Sequence, residues 1–462
     1  MIRSGVLQIT LREESATTRI PARPDCLLGA GRQSNAIDRG DVDRTLRRWG
    51  ASFRTSLVFA ARRSLGHIGS QHIGYDDTER SLGMSRTYRV ELGDVARARD
   101  ALSAVRDLAA VAQARIESLA TTHDPARSHP STDTRVDAAM NAHDLIRATP
   151  ALAREQGDER IVVAVVDTGV ALGHPELRRK LLAGYDTVDL GLGKVGGMEL
   201  VGDSRGADFT PRDDVGHGSH VAGVVAAQGF RLSPGMAGRS LCLPVRVLAA
   251  ARPSGSRRTI GVGALSDIDC GIKVACDLGA KVINMSFGTS EAHIDAGAPP
   301  PHREVVDYAV ARGVVLVAAM GNSGQAEKLF PAAIDPVIAV AAVDERFEVS
   351  SFSTRGKHVT LAAPGERILS LDRHGYRLST GTSHAAPFVA GVAALLCARA
   401  RRRGVELGTR EVRDILVRSA QARPADGHRD DIGHGVLDAD AALRTLDADL
   451  SASPHGRTHT HG

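Results

Sequence analysis

Ile161-Val162-Val163-Ala164-Val165-Val166-Asp167-Thr168-Gly169 decides the architecture. Six apolar residues in a row, with no polar alternation, are expected of a parallel strand buried on both faces. Such a strand needs helices above and below it, which makes the fold α/β with a mainly parallel central sheet. Open sheets of this kind carry their sites at the carboxyl ends of the strands, where Asp167 stands here. A second run, Val314-Val315-Leu316-Val317-Ala318-Ala319, ends at Gly321-Asn322 and reads the same way.

Two helix starts complete the set. His217-Gly218-Ser219-His220 opens an apolar helix beside a glycine-rich turn, and Gly381-Thr382-Ser383-His384-Ala385-Ala386-Pro387 opens an Ala/Val/Leu-rich one. Pro387 falls in the first turn of that helix, where proline is tolerated. A serine hydroxyl attacks a carbonyl only when a neighbouring base takes its proton, so Ser383 needs an imidazole, and His217 supplies one that titrates near neutral pH. A buried carboxylate must fix that ring, the role expected of Asp167. The oxyanion needs preorganised donors, for which the Asn322 side chain and the Ser383 backbone N–H are the candidates. Taken singly, each residue also reads as a cap, a core histidine or a turn residue. The order Asp, His, Ser is one in which the triad geometry recurs. Gly202-Asp203-Ser204-Arg205-Gly206 fits a nucleophile elbow by spacing, but Pro211 and the lack of an apolar period after it leave no helix to carry it.

These blocks resemble those of the subtilisin-like serine proteases, the subtilase family, over roughly residues 158–446. Val166-Asp167-Thr168-Gly169-Val170, His217 to Gly223 and Gly381 to Pro387 match the Asp, His and Ser blocks. Val282 to Gly288, Ala318 to Asn322, Ser350 to Ser353 and Gly433 to Asp438 match further blocks in register. The resemblance implies a three-layer subtilisin-like fold and serine endopeptidase activity through an acyl-enzyme. Two departures stand out: His384 and Ala386 replace the usual Met and hydroxyl residue, and Ser219 stands where Thr is commoner. None of these removes a catalytic atom.

The same resemblance assigns a substrate cleft to Ser286, Phe287 and Gly288 on one side and Gly261, Val262 and Gly263 on the other. Glycines there let a peptide approach as an added strand. Leu265 falls where the family lines a pocket for the fourth residue before the cut, and Met320 and Gly321 flank the oxyanion residue. Glu327 is a candidate for negative charge near the primary pocket, and Ala250 to Thr259 for an overhang above the cleft. Family members often bind structural calcium through a loop after the histidine helix and a carboxylate after the Asp block. Glu176 occupies the latter region, but Gln228 to Gly235 lacks the usual Asn/Asp oxygens, which argues against calcium there and leaves other sites open. The catalytic chemistry itself requires no cofactor.

The 462 residues exceed one ordinary core, so two domains are expected. A net charge of +4 is too small to point to nucleic acid. Five cysteines without paired spacing give no disulfide framework and no metal motif. No apolar run reaches the ~18 residues of a membrane span. Met1 to Ile20 lacks the apolar stretch of a signal peptide, so a cytoplasmic bacterial enzyme is expected. Expected partners are peptide or protein substrates, with no nucleic acid and no membrane.

Residues 1–120 read as an N-terminal arm. Within it about 80–120 form a strand–helix–strand unit like the family's self-inhibiting propeptide; an accessory arm is the alternative. Residues 121–157 read as linker and lead-in, 158–446 as the peptidase domain and 447–462 as a disordered tail. Two other functions fit the same residues: a dedicated maturation protease for one partner peptide, or a catalytically silent scaffold that binds peptides.

Overall fold

The computed structural model describes residues 1–14, 20–27, 31–62, 74–122, 139–205, 208–294 and 298–452. Seven parallel strands form the central sheet, in the order Leu361–Pro364, Ile338–Val343, Val315–Ala319, Val282–Met285, Val162–Asp167, Leu241–Arg246 and Tyr185–Asp186. Both faces are covered, which is why the strands carry no polar alternation. Val163 and Val165 pack into one layer, with the helices His217–Ala226, Thr382–Arg401 and Ala439–Ala452. Ala164 and Val166 face the other way, toward Leu265–Asp277 and Arg303–Ala311. The chain leaves Val162–Asp167 on one side and resumes with Val282–Met285 on the other, so a topological switch point opens between these two neighbours.

Thr382–Arg401 is apolar around its whole circumference and has the length of a membrane span, yet 94% of its most apolar window is buried in protein. Alanines let it sit close to the sheet. At Gly391 even a methyl group would come within 2.5 Å of Met236 Cβ.

The N-terminal unit is larger than expected. Its antiparallel strands run in the order Phe53–Leu57, Thr87–Leu92, Ile2–Leu11 and Val111–Thr121, with the helices Asp41–Gly50 and Ala98–Arg106 sharing their apolar core. Ile2–Leu11 is thus an internal strand, and the unit extends from residue 2 rather than from about 80. Met1 to Ile20 alternates apolar and charged residues in sequence, and the strand pairing carries a register shift between Ile2 and Leu7, with Gly5 at φ +80°.

The unit does not end at residue 120. Val111–Thr121 continues into an eight-stranded antiparallel sheet with Ile260–Ala264, Ala249–Pro253, Met198–Val201 and Lys194–Val195 of the peptidase part. The expected overhang from Ala250 therefore begins as a paired strand.

Other boundaries also move. Ile146, Ala148 and Ala151 of the lead-in are buried in the peptidase core. The last helix runs through residue 446 to Ala452, and Asp447 pairs with Arg399 at 2.8 Å, so 447–452 are helical rather than tail. The linker from 123 to 138 and residues 453–462 lie outside the described residues.

Candidate active site

Asp167 is fully buried at the end of its strand, and its Oδ1 lies 2.7 Å from His217 Nδ1. An ionised carboxylate only accepts, so Nδ1 carries the proton and the ring presents Nε2 as its basic nitrogen. The Thr168 backbone N–H donates to the same oxygen at 2.7 Å. His217 is the first residue of its helix, preceded by Gly216 at φ +94°, a conformation suited to glycine. One residue on, a Cβ at Gly218 would lie 2.2 Å from the Gly169 carbonyl oxygen. Glycine is what lets the helix start rest on the Asp loop.

Asp213 organises this junction. Its Oδ1 accepts from Thr168 Oγ1 at 2.8 Å and from the N–H groups of Val215 and Gly216, and its Oδ2 from the Ser219 N–H and Oγ. Thr168 Oγ1 in turn accepts from the Gly218 N–H at 2.9 Å. Ser219 Oγ also accepts from the Ala171 N–H. Burial pushes the Asp213 carboxyl up against the lowering effect of these donors. Sequence reasoning passed over this residue, although an Asp shortly before the His block was a visible signal. Ser219, noted only as a substitution for Thr, supplies the hydroxyl the network uses.

Ser383 is the second residue of its helix, so its backbone N–H has no acceptor within the helix. Its side chain is 3% exposed, and Oγ donates to the Ser286 carbonyl at 3.2 Å. Ser286 Oγ donates back to the Ser383 carbonyl at 3.0 Å and accepts from Asn284 Nδ2 at 2.9 Å. The two candidates Ser286 and Ser383 are therefore locked together across the switch point. His384 follows with its ring centroid 5.7 Å from that of His217 and 4.2 Å from that of His220. Burial, then the neighbouring His220, His217 and Arg377, hold His384 well below the usual imidazole range. Burial likewise lowers His220 to about 3. Both stay neutral at working pH.

Asn322 is half-buried just beyond the end of the Val315–Ala319 strand. Its side-chain oxygen accepts from the Thr382 N–H at 2.9 Å and from Thr382 Oγ1 at 3.0 Å. With the oxygen fixed toward Thr382, the carboxamide turns its NH₂ end the other way. Thr382 Oγ1 also accepts from the Gly321 N–H at 3.0 Å, which joins the oxyanion candidates to the head of the Ser383 helix.

The cleft is lined by backbone. Gly263 and Val262 pair with Ala120 and Thr121, and Ala264 with Leu119. Thr121 also bridges Gly288 on the opposite wall. The Thr122 N–H donates to the Gly261 carbonyl at 3.0 Å, and the Gly261 N–H to Thr122 Oγ1 at 2.9 Å. A side chain at Gly261 would collide with Thr168 and Thr122. Phe287 and Met320 turn their side chains into the core, so what they offer a cleft is main chain. Leu265 is likewise buried, beside Ile116 and Ser118 of the incoming strand. Glu327 is held by Ser290 Oγ at 3.0 Å.

Cysteine chemistry has no place here. Burial pushes the thiols of Cys242, Cys270 and Cys397 up to about 12, which leaves them inert core groups. Nor does the Glu176 region fit calcium. Its carboxylate accepts backbone N–H groups from Gly229, Phe230 and Arg231 at 2.8, 3.1 and 2.7 Å. A loop that turns hydrogens inward is built for an anion, and Glu176 is that anion. Those donors outweigh its burial and hold its carboxyl below the usual range.

A doubly covered parallel sheet with Asp, His and Ser at its switch point is the framework of a serine protease. The subtilase family model matches residues 158–435. The thermophilic serine proteinase of Bacillus sp. strain AK1 is 39% identical over 52% of this chain and 52% of its own length. Thermitase of Thermoactinomyces vulgaris is 38% identical over 52% of this chain and 75% of its own. The chain thus spans about half of one relative and three quarters of the other. Fervidolysin from Fervidobacterium pennivorans, described as a keratinolytic enzyme related to subtilisin, superposes over 96% of this chain and 61% of its own. Its TM-score is 0.62 at 22% identity, a likeness of fold. The chain belongs to the subtilase family of serine proteases.

Proposed function

We propose that this subtilase is an endopeptidase that cuts peptide bonds through an acyl-enzyme on Ser383, and that its own N-terminal strand closes the cleft until the chain is processed. The observation that carries the catalytic reading is the 2.7 Å hydrogen bond between buried Asp167 and His217 Nδ1, beside the first turn of the helix that carries Ser383.

Ser383 Oγ turns from the Ser286 carbonyl toward His217 Nε2 and attacks the scissile carbonyl carbon as Nε2 takes its proton. Negative charge gathers on the carbonyl oxygen. The Asn322 NH₂ group and the Ser383 N–H stabilise it, and both are held in place before the reaction. The C–N bond then breaks as His217 returns the proton to the leaving amine. Water repeats the sequence to release the acyl group and restore the Ser383 hydroxyl. Asp167 remains ionised throughout and stabilises the imidazolium. No step draws on a metal.

The substrate binds as an extended strand between Ile260–Ala264 and Ser286–Gly288. Leu119 to Thr122 already occupy that slot, which supports self-inhibition before processing. Expressing the wild type beside Ser383→Ala and sequencing the termini tests the reading. The wild type should acquire a new N-terminus between residues 122 and 139, and the variant should remain whole. Equal processing of both chains would refute self-cleavage.

A further inference from the structure

A cavity of about 590 Å³ lies at the seam between the N-terminal unit and the peptidase part, away from the catalytic groups. Five arginines line it: Arg3, Arg23, Arg32 and Arg54 from the N-terminal side, and Arg205 from the loop after Met198–Val201. Two carboxylates share it, and both are engaged. Asp189 pairs with Arg23 at 3.1 Å and Glu91 with Arg89 at 3.1 Å. Glu91 is also the cross-strand neighbour of Arg54, yet it is committed to Arg89. The guanidiniums of Arg32, Arg54 and Arg205 have no ion pair among the described residues.

Two buried groups at the cavity are also unsatisfied. Ser56 and Arg23 are each 1% exposed, and Ser56 Oγ and Arg23 Nε lack a hydrogen-bond partner among the described residues. A buried polar atom left unpaired is costly, and unpaired like charges converging on one space repel. One anion bearing several charges relieves that repulsion. Among the described residues the lining holds no aromatic side chain on which a base would stack, and apart from Cys26 no apolar one to seat a peptide side chain. Its chemistry suits a small, strongly hydrated ligand with several phosphate groups, which planar guanidiniums bind through paired hydrogen bonds.

We infer that this cavity is a binding site for a small polyphosphate anion. Because its walls come from both parts of the chain, the bound anion fastens the N-terminal unit to the peptidase part. The site is independent of turnover, so the full-length Ser383→Ala chain serves for the test.

Titration calorimetry with sodium tripolyphosphate should give one site per chain, with a rise in Tm at saturation. Arg54→Glu with Arg205→Glu changes two exposed residues. It should weaken binding at least about a hundredfold, roughly tenfold for each charge-assisted hydrogen bond removed. No binding heat in the Ser383→Ala chain would overturn the inference. Equal affinity in the charge-reversed chain would too, as it would mean an adventitious ion only. Saturable binding of a glutamate-rich peptide in place of tripolyphosphate would overturn the ligand class.

Discussion

Thr121 and Gly288 exchange both of their backbone hydrogen bonds, N–H to carbonyl at 3.3 Å in one direction and 3.2 Å in the other. The first strand partner of the proposed substrate wall is therefore the protein itself. A synthetic peptide of residues 111–122 should compete with substrate for the processed enzyme. The same peptide carrying Thr121→Pro loses a donor, and its inhibition constant should rise at least about tenfold. Unchanged inhibition would place the peptide somewhere other than the cleft.

Asn322 is fixed by Thr382 before any substrate arrives. Asn322→Ala should lower kcat about 10²–10³-fold and leave KM nearly unchanged, because the missing donor acts on the transition state. Steady-state kinetics decides: a change confined to KM would mean that Asn322 acts in the ground state.

Glu176 closes its loop by accepting three backbone N–H groups. Its carboxyl is lowered in the folded state, so its stabilisation is complete above the unfolded carboxyl range and disappears as pH falls through the folded value. Glu176→Gln should cost about 1–3 kcal/mol at neutral pH and little at acid pH. Thermal unfolding from pH 3 to 7 measures this, and added calcium should not restore the loss.

Activity should rise with pH as His217 loses its proton. His384 stays neutral in that window, since burial holds its ring well below the usual range. His384→Met should therefore leave the midpoint of the acid limb within about half a pH unit, with only a packing effect on rate. A larger displacement in the kcat/KM profile would show that His384 titrates with the catalytic ring.

The peptidase fold was legible because its strands are buried on both faces, so Ile161 to Val166 and Val314 to Ala319 read as unbroken apolar runs. The candidate catalytic residues were legible because each follows such a run or stands at the opening of a helix. Asp213 was not, because its value lies in five hydrogen bonds made by residues that fold around it. Ile2–Leu11 alternates in sequence, but its place as an internal strand depends on pairing with Thr87–Leu92 and Val111–Thr121, far along the chain. The pairing of Val111–Thr121 with Ile260–Ala264 joins segments far apart in the chain, and neither strand names its neighbour. Leu265, placed at a pocket by the family resemblance, is covered here with the Val111–Thr121 strand beside it.

The central claim is that Ser383 is an activated nucleophile. Fluorophosphonate labelling of the processed protein, followed by peptide mass spectrometry, tests it most directly. The account predicts one adduct, on Ser383, absent from Ser383→Ala, with both proteins equally folded. A folded, processed chain that takes no label at Ser383 would contradict it and leave a peptide-binding scaffold in its place.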